Sequence, residues 1–125
     1  MTMNKKINLN QCFDKFSDTF SPKIVGNVNS QHVLVVKLEG DKVPWHTHEN
    51  EDEMFLVVDG VLDIFLREET ITLSSGEFFI VPKGTEHRVV PRDQVKLILI
   101  EPETISHTGD VESEITKSSY ERLIQ

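Results

Sequence analysis

The sequence predicts an all-β domain, and two observations carry that prediction. Short runs rich in Val, Ile, Leu and Phe recur from Gln31 onward, and nearly every run is closed by Gly, Pro, Asp or Ser. Strands at such close spacing, with no helical period between them, indicate an antiparallel sandwich or barrel rather than alternating β and α units.

Taken in order, the chain begins with a polar stretch, residues 1–6, that lacks the following apolar run a signal peptide requires. Residues 10–16 predict a short helix, with Phe13, Phe16 and Phe20 at helical spacing as its packing face. Strands are predicted at 31–38, 53–58, 61–66, 70–73, 77–81, 88–90 and 95–100. Their boundaries are Glu39-Gly40-Asp41, Asp59-Gly60, Ser74-Ser75-Gly76, Pro82-Lys83-Gly84 and Pro91-Arg92-Asp93. Asp59-Gly60 between two apolar runs is a tight-hairpin signal. Residues 105–117 are polar and without a clear period, which predicts extended surface chain. Ser118 followed by Glu121 resembles a capping box ahead of Leu123 and Ile124 and predicts a short final helix.

A length of 125 residues fits one domain with a single modest core, here placed at about 31–101 with extensions at both ends. Thirteen basic against twenty-one acidic residues give a net charge of -8 with no basic cluster, so nucleic acid and anionic membrane surfaces are not expected partners. The lone Cys12 has no partner for an internal disulfide and fits a reducing compartment. The longest apolar runs, such as 54–58 and 97–100, are too short to span a bilayer. The expectation is a cytoplasmic protein.

Two stretches carry chemistry. The first has Gly40, His46-Thr47-His48, Glu53 and Gly60; the second has Gly76, Pro82-Lys83-Gly84 and His87. His46 and His48 lie two apart, so on a strand they share a face. If their strand pairs as a hairpin with the next, Glu53 lies beside them, and His87 arrives from distant sequence just after a Pro-x-Gly turn. Three imidazoles and one carboxylate form a common ligand set for iron, manganese, nickel or zinc. Scattered surface histidines would account for a lone His-x-His, but nine specified residues at two linked spacings arise by chance less than roughly once in 10⁸.

These two blocks resemble the two sequence motifs of the cupin superfamily. Motif one is complete, whereas Pro91 stands where the second motif usually has Asn, a residue that does not bind the metal. Only fifteen residues separate Gly60 from Gly76, which resembles the compact single-domain bacterial cupins. The resemblance implies a double-stranded β-helix, or jelly-roll barrel, holding one divalent transition metal through His46, His48, Glu53 and His87. It also implies a homodimer, since small cupins often pair.

With four protein ligands, a six-coordinate metal keeps two open positions for substrate, or for substrate and oxygen. Strand parity places Phe55 and Val57 with Glu53, Val89 with His87, and Leu97 and Leu99 inward beside an exposed Lys96, giving a mostly apolar substrate pocket. Buried apolar residues are usually packing, so each of the five also reads as ordinary barrel core. An apolar lining suits a small organic substrate of enol, diketone or aromatic character. Oxygenase-type chemistry therefore stands first. The alternatives are an isomerase of the phosphomannose-isomerase-like kind and a non-catalytic small-molecule binder.

A phosphorylated sugar would need a cationic clamp, for which Arg88, Lys37 and Arg67 are the nearby candidates, and Arg88 alternates away from His87. Trp45 points opposite to His46 and reads as packing or interface. His32 and His107 read as structural or surface histidines, Glu49, Glu51 and Asp52 as a solvated loop, and Cys12 as a small buried side chain.

Overall fold

The structure, a computed structural model, describes residues 5–106, 108–117 and 119–123. Among them a short helix, α1 (Leu9–Phe13), precedes strands β1 (Lys23–Val28), β2 (Gln31–Glu39), β3 (Glu53–Leu66), β4 (Thr70–Leu73), β5 (Phe78–Val81), β6 (His87–Pro102) and β7 (Glu121–Arg122). The strands join in the order β4-β3-β6-β2-β1-β7, with β5 also on β3.

Two long strands build the barrel. β3 and β6 pair antiparallel from Met54 opposite Ile100 to Leu66 opposite His87, with the register broken between Val57 and Val61. On one side of that break β3 takes β5 as its second neighbour, and on the other side it takes β4. The ribbon thus passes from one layer to the other and closes the all-β jelly roll that the sequence predicts.

This continuity corrects two expected boundaries. Asp59-Gly60 is not a hairpin turn but the irregularity at which β3 bends. Gly60 has φ +101°, and a Cβ there would sit 2.7 Å from the Gln94 carbonyl oxygen, so the strand crosses β6 too closely for any side chain. Pro91-Arg92-Asp93 likewise lies within β6, with Pro91 opposite Leu62. β2 pairs with β6 only from Gln94 to Pro102, so in the Pro91 half no β2 ladder needs the missing N–H.

The ends differ more. The helix is shorter than predicted: Asn8 caps it, accepting from the Gln11 N–H at 2.9 Å, and it stops at Phe13. Phe13 and Phe16 still pack together, but Phe20 lies past the helix and joins the barrel core instead. β1, unpredicted because Gly26 and Asn27 interrupt its apolar run, pairs with β2 along an irregular register. No C-terminal helix forms among the described residues, since Glu121 and Arg122 run as a strand parallel to Lys23 and Ile24. Ser118 and Ile124 lie outside the described residues. The segment 105–117 is not free surface chain, because Ile105, Thr108 and Ile115 are buried.

The core follows strand parity. Leu34, Val36 and Leu38 of β2 and Val95, Leu97 and Leu99 of β6 face inward, while Val35 turns outward beneath Cys12 and Phe13 of α1. Each such buried side chain contributes about 1.5–3 kcal/mol of hydrophobic stabilisation. No helix among the described residues is long and apolar enough to cross a membrane.

Candidate metal centre

The four motif residues meet inside the barrel. One ligand atom from each of His46, His48, Glu53 and His87 lies within 4.8 Å of the others, and all four side chains are buried. Their route there differs from the expected hairpin. The His-x-His segment pairs with His87, not with β3: His46 N–H donates to the His87 carbonyl at 3.0 Å, and His87 N–H donates back at 2.9 Å. Glu53 enters on β3, opposite Val81 of β5. The Pro82-Lys83-Gly84 turn is tied down by the Gly84 N–H donating to the His48 carbonyl and the Lys83 N–H donating to Asp52 Oδ1.

The outer nitrogens decide what the inner ones can do. His46 Nδ1–H donates to the Pro44 carbonyl at 2.8 Å and His87 Nδ1–H to the Thr85 carbonyl at 2.9 Å. With Nδ1 carrying the proton, each neutral imidazole presents its Nε2 lone pair inward, the tautomer a metal needs. His48 Nε2 and His87 Nε2 approach Glu53 Oε1 at 3.2 and 3.5 Å. Neither contact is aligned as a hydrogen bond, so all three atoms are buried without a partner. Buried polar atoms without partners are rare and costly, and a cation among them satisfies all three at once. The donor set fits a divalent transition metal.

Charge agrees with geometry. Burial, and secondarily the neighbouring His87, lower the His46 pKa to about 4, so its ring is neutral at pH 7. Burial alone would raise the Glu53 pKa, but the facing His48 and His87 imidazoles pull it below the usual carboxylate range. Beside Glu53 lies a second buried carboxyl, Glu101, raised well above that range by burial first and by the Glu53 charge second. Sequence reasoning overlooked Glu101, yet parity in the run Val95, Leu97, Leu99, Glu101 points it inward.

Of the predicted pocket residues, Phe55, Val89, Leu97 and Leu99 line a cavity of about 40 Å³ together with His46 and Glu53, whereas Val57 is core outside that lining. Phe20, Pro22 and Ile115, from the two terminal extensions, also form its wall, a role that no motif or strand parity indicated. Every candidate phosphate clamp is engaged elsewhere. Arg88 pairs with Asp41, Lys37 Nζ donates to the Phe16 carbonyl, and Arg67 pairs with Glu86 while stacking on Trp45 at 3.8 Å. His32 bonds Asn27 away from the cluster, and His107 lies outside the described residues. In the acidic loop, Glu51 accepts from Thr104 and Asp52 from the Lys83 N–H.

A family model for the cupin domain matches residues 33–101, and the chain belongs to that family. It is 32% identical over 87 residues to YdbB, an uncharacterised protein of Bacillus subtilis (strain 168), covering 69% of this chain and 76% of that one. It is similar to a cupin-2 domain containing protein from Shewanella frigidimarina of known structure, with TM-score 0.74 and 38% identity, covering 77% and 93% of the two chains. A shorter stretch, 40% identical over 55 residues, is similar to quercetin 2,3-dioxygenase of Bacillus subtilis, and spans 44% of this chain but only 16% of that enzyme.

Proposed function

We propose that this protein is a metal-dependent enzyme of oxygenase type acting on a small organic molecule. The observation that carries the proposal is the convergence of three buried imidazoles and one buried carboxylate within 4.8 Å, three of whose inner atoms have no hydrogen-bond partner among the described residues. A pure structural core has no use for such an arrangement, because unpaired buried polar groups destabilise it. A bound iron, manganese, nickel or zinc ion supplies Lewis-acid polarisation of coordinated oxygen atoms and, for the redox-active metals, electron transfer.

The chain's own groups have separate tasks in this account. His46 and His87 are held in the ligating tautomer by the Pro44 and Thr85 carbonyls. Glu53 supplies negative charge that offsets the cation's, and the apolar walls from Phe55, Val89, Leu97 and Leu99 keep bulk water from the substrate. The partial similarity to quercetin 2,3-dioxygenase supports the oxygenase class. The isomerase alternative for phosphorylated sugars lacks a free cationic clamp on the cavity, since Arg88, Lys37 and Arg67 are all engaged elsewhere.

Oxygen uptake by the iron-loaded protein, measured across a panel of compact diketones and enols, tests the proposal. Uptake that depends on one of these compounds and is lost in His48→Ala is the expected result. Turnover of a phosphosugar with no oxygen consumed would replace the oxygenase class with the isomerase. A ligand that only raises the melting temperature would favour a binding protein.

A further inference from the structure

The cavity that opens on His46 and Glu53 is unusually small for a substrate site. Its volume of about 40 Å³ holds roughly three waters, at about 10–15 Å³ each, whereas sites for drug-sized ligands run to hundreds. Among the described residues, the only polar ones lining it are His46 and Glu53, and no lysine or arginine lines it.

One wall is built in an uncommon way. Phe20, only 4% exposed, has φ +55°, a left-handed backbone that bulky residues rarely adopt. Such strain persists only where the surroundings impose it, and it concentrates at functional sites. Here the surroundings are explicit. The Phe20 N–H donates to the Lys37 carbonyl at 2.8 Å. The buried Lys23 ammonium grips both sides of the turn, donating to Asp18 Oδ2 at 2.8 Å and Ser21 Oγ at 3.3 Å, and is itself held by Glu121 of β7 at 3.0 Å. Phe20 also precedes residues 33–101, so it belongs to this chain's extension and not to the segment the family model covers.

We propose that Phe20 is the specificity-determining wall of the site, limiting its substrate to compact oxygen-donor molecules with an apolar portion of a few carbon atoms. This rests on the metal-centre reading above and narrows it. Aromatic and phosphorylated compounds are excluded, the first by volume and the second by the absence of a cationic lining residue.

The test uses two probes. Acetohydroxamate and benzohydroxamate, which present the same chelating head on a small or an aromatic body, are titrated calorimetrically into the zinc-loaded protein. Fluorobenzene, which needs no metal, is followed by melting temperature. Wild type should bind acetohydroxamate at least tenfold more tightly than benzohydroxamate. Phe20→Gly removes the ring and suits the left-handed backbone, so it should narrow that ratio at least tenfold. It should also gain stabilisation by fluorobenzene, which wild type lacks. Phe20→Leu, which keeps an apolar side chain, should move both readouts the same way by less and serves if the glycine variant does not fold. Equal binding of both hydroxamates by wild type, or an unchanged ratio in both variants, overturns the proposal. No binding of either hydroxamate counts against the metal centre, and fluorobenzene then decides alone whether Phe20 is the wall.

Discussion

His46 and His87 grip each other through their backbones, each N–H donating to the other's carbonyl, and their ring centroids lie 4.3 Å apart. Half of the ligand set is therefore fixed by a strand bridge and not by loop side chains. The Pro44 and Thr85 carbonyls then set the ring tautomers. A site preorganised in this way is sensitive to anything that shifts the backbone around it.

Gly109 is the first such point. It has φ +60°, and a Cβ there would lie 2.5 Å from the Thr47 carbonyl oxygen and 2.9 Å from His46 Cδ2. Gly109→Ala should push the His46 ring and weaken metal affinity about 10–100-fold, the usual effect of disturbing the groups that orient a ligand. Gly76→Ala, with φ +84° but open space around it, should cost stability and leave metal affinity unchanged. Competition against a chromogenic chelator measures both.

The depressed His46 pKa gives a pH signature in the metal-free protein. Its pKa falls from 6.5 unfolded to about 4 folded, so the unfolded chain binds the extra proton between those values. Stability from this group is present above pH 6.5 and is lost as pH falls through about 4. A shift of that size corresponds to about 3 kcal/mol. Urea unfolding across this range should show the loss, and His46→Gln should flatten it.

Lys23 predicts an asymmetry. Its ammonium is buried, while Asp18 and Glu121 are 52% and 65% exposed. Lys23→Met returns two carboxylates to water and should cost about 1 kcal/mol. The double change Asp18→Asn with Glu121→Gln leaves a buried charge poorly paired and should cost about 3 kcal/mol or more. Burial opposes the charge on Lys23, yet Asp18 and Glu121 outweigh it and raise its pKa. Its contribution is thus complete below the unfolded value of 10.5 and is lost only as pH rises past the folded one. Chemical denaturation of the two variants side by side decides the order.

The outer face of the sheet carries an apolar patch. Met54 stands opposite Ile80 and Ile100, and Leu56 opposite Phe78 and Ile98, with Phe78 and Ile80 56% and 48% exposed. Aligned apolar rows of this kind mark interaction surfaces. The homodimer expected from the sequence resemblance would place this face against a second copy of the chain. Sedimentation should give a dimer for the wild type and a monomer for Phe78→Glu with Ile80→Glu. A wild-type monomer would remove the expectation.

The ligands were legible in the sequence because their signal is local. Spacing within His46-Thr47-His48 and parity at Glu53 fix faces without any knowledge of topology. What lies against those faces was not legible. The hairpin expected between the His-x-His segment and Glu53 gave way to a bridge with His87, a choice made by long-range pairing. Asp59-Gly60 reads as a turn because its residue types suit one, but β6 runs alongside both halves of β3 and keeps the strand continuous. The capping pattern near Glu121 lost to β1, where Lys23 draws Glu121 into an ion pair and the Leu123 N–H donates to the Ile24 carbonyl. Phe20 carried a local signal that misled, its helical spacing from Phe13 and Phe16, whereas its left-handed backbone answers to distant partners such as the Lys37 carbonyl.

The proposed chemistry depends on His46, His48, Glu53 and His87 holding one transition metal ion. Elemental analysis of protein purified without added metal, beside His48→Ala and His32→Ala, tests it most directly. About one metal ion per chain is expected in the wild type and in His32→Ala, with a strong loss in His48→Ala. A wild-type protein that carries no metal and takes up none on reconstitution would contradict it.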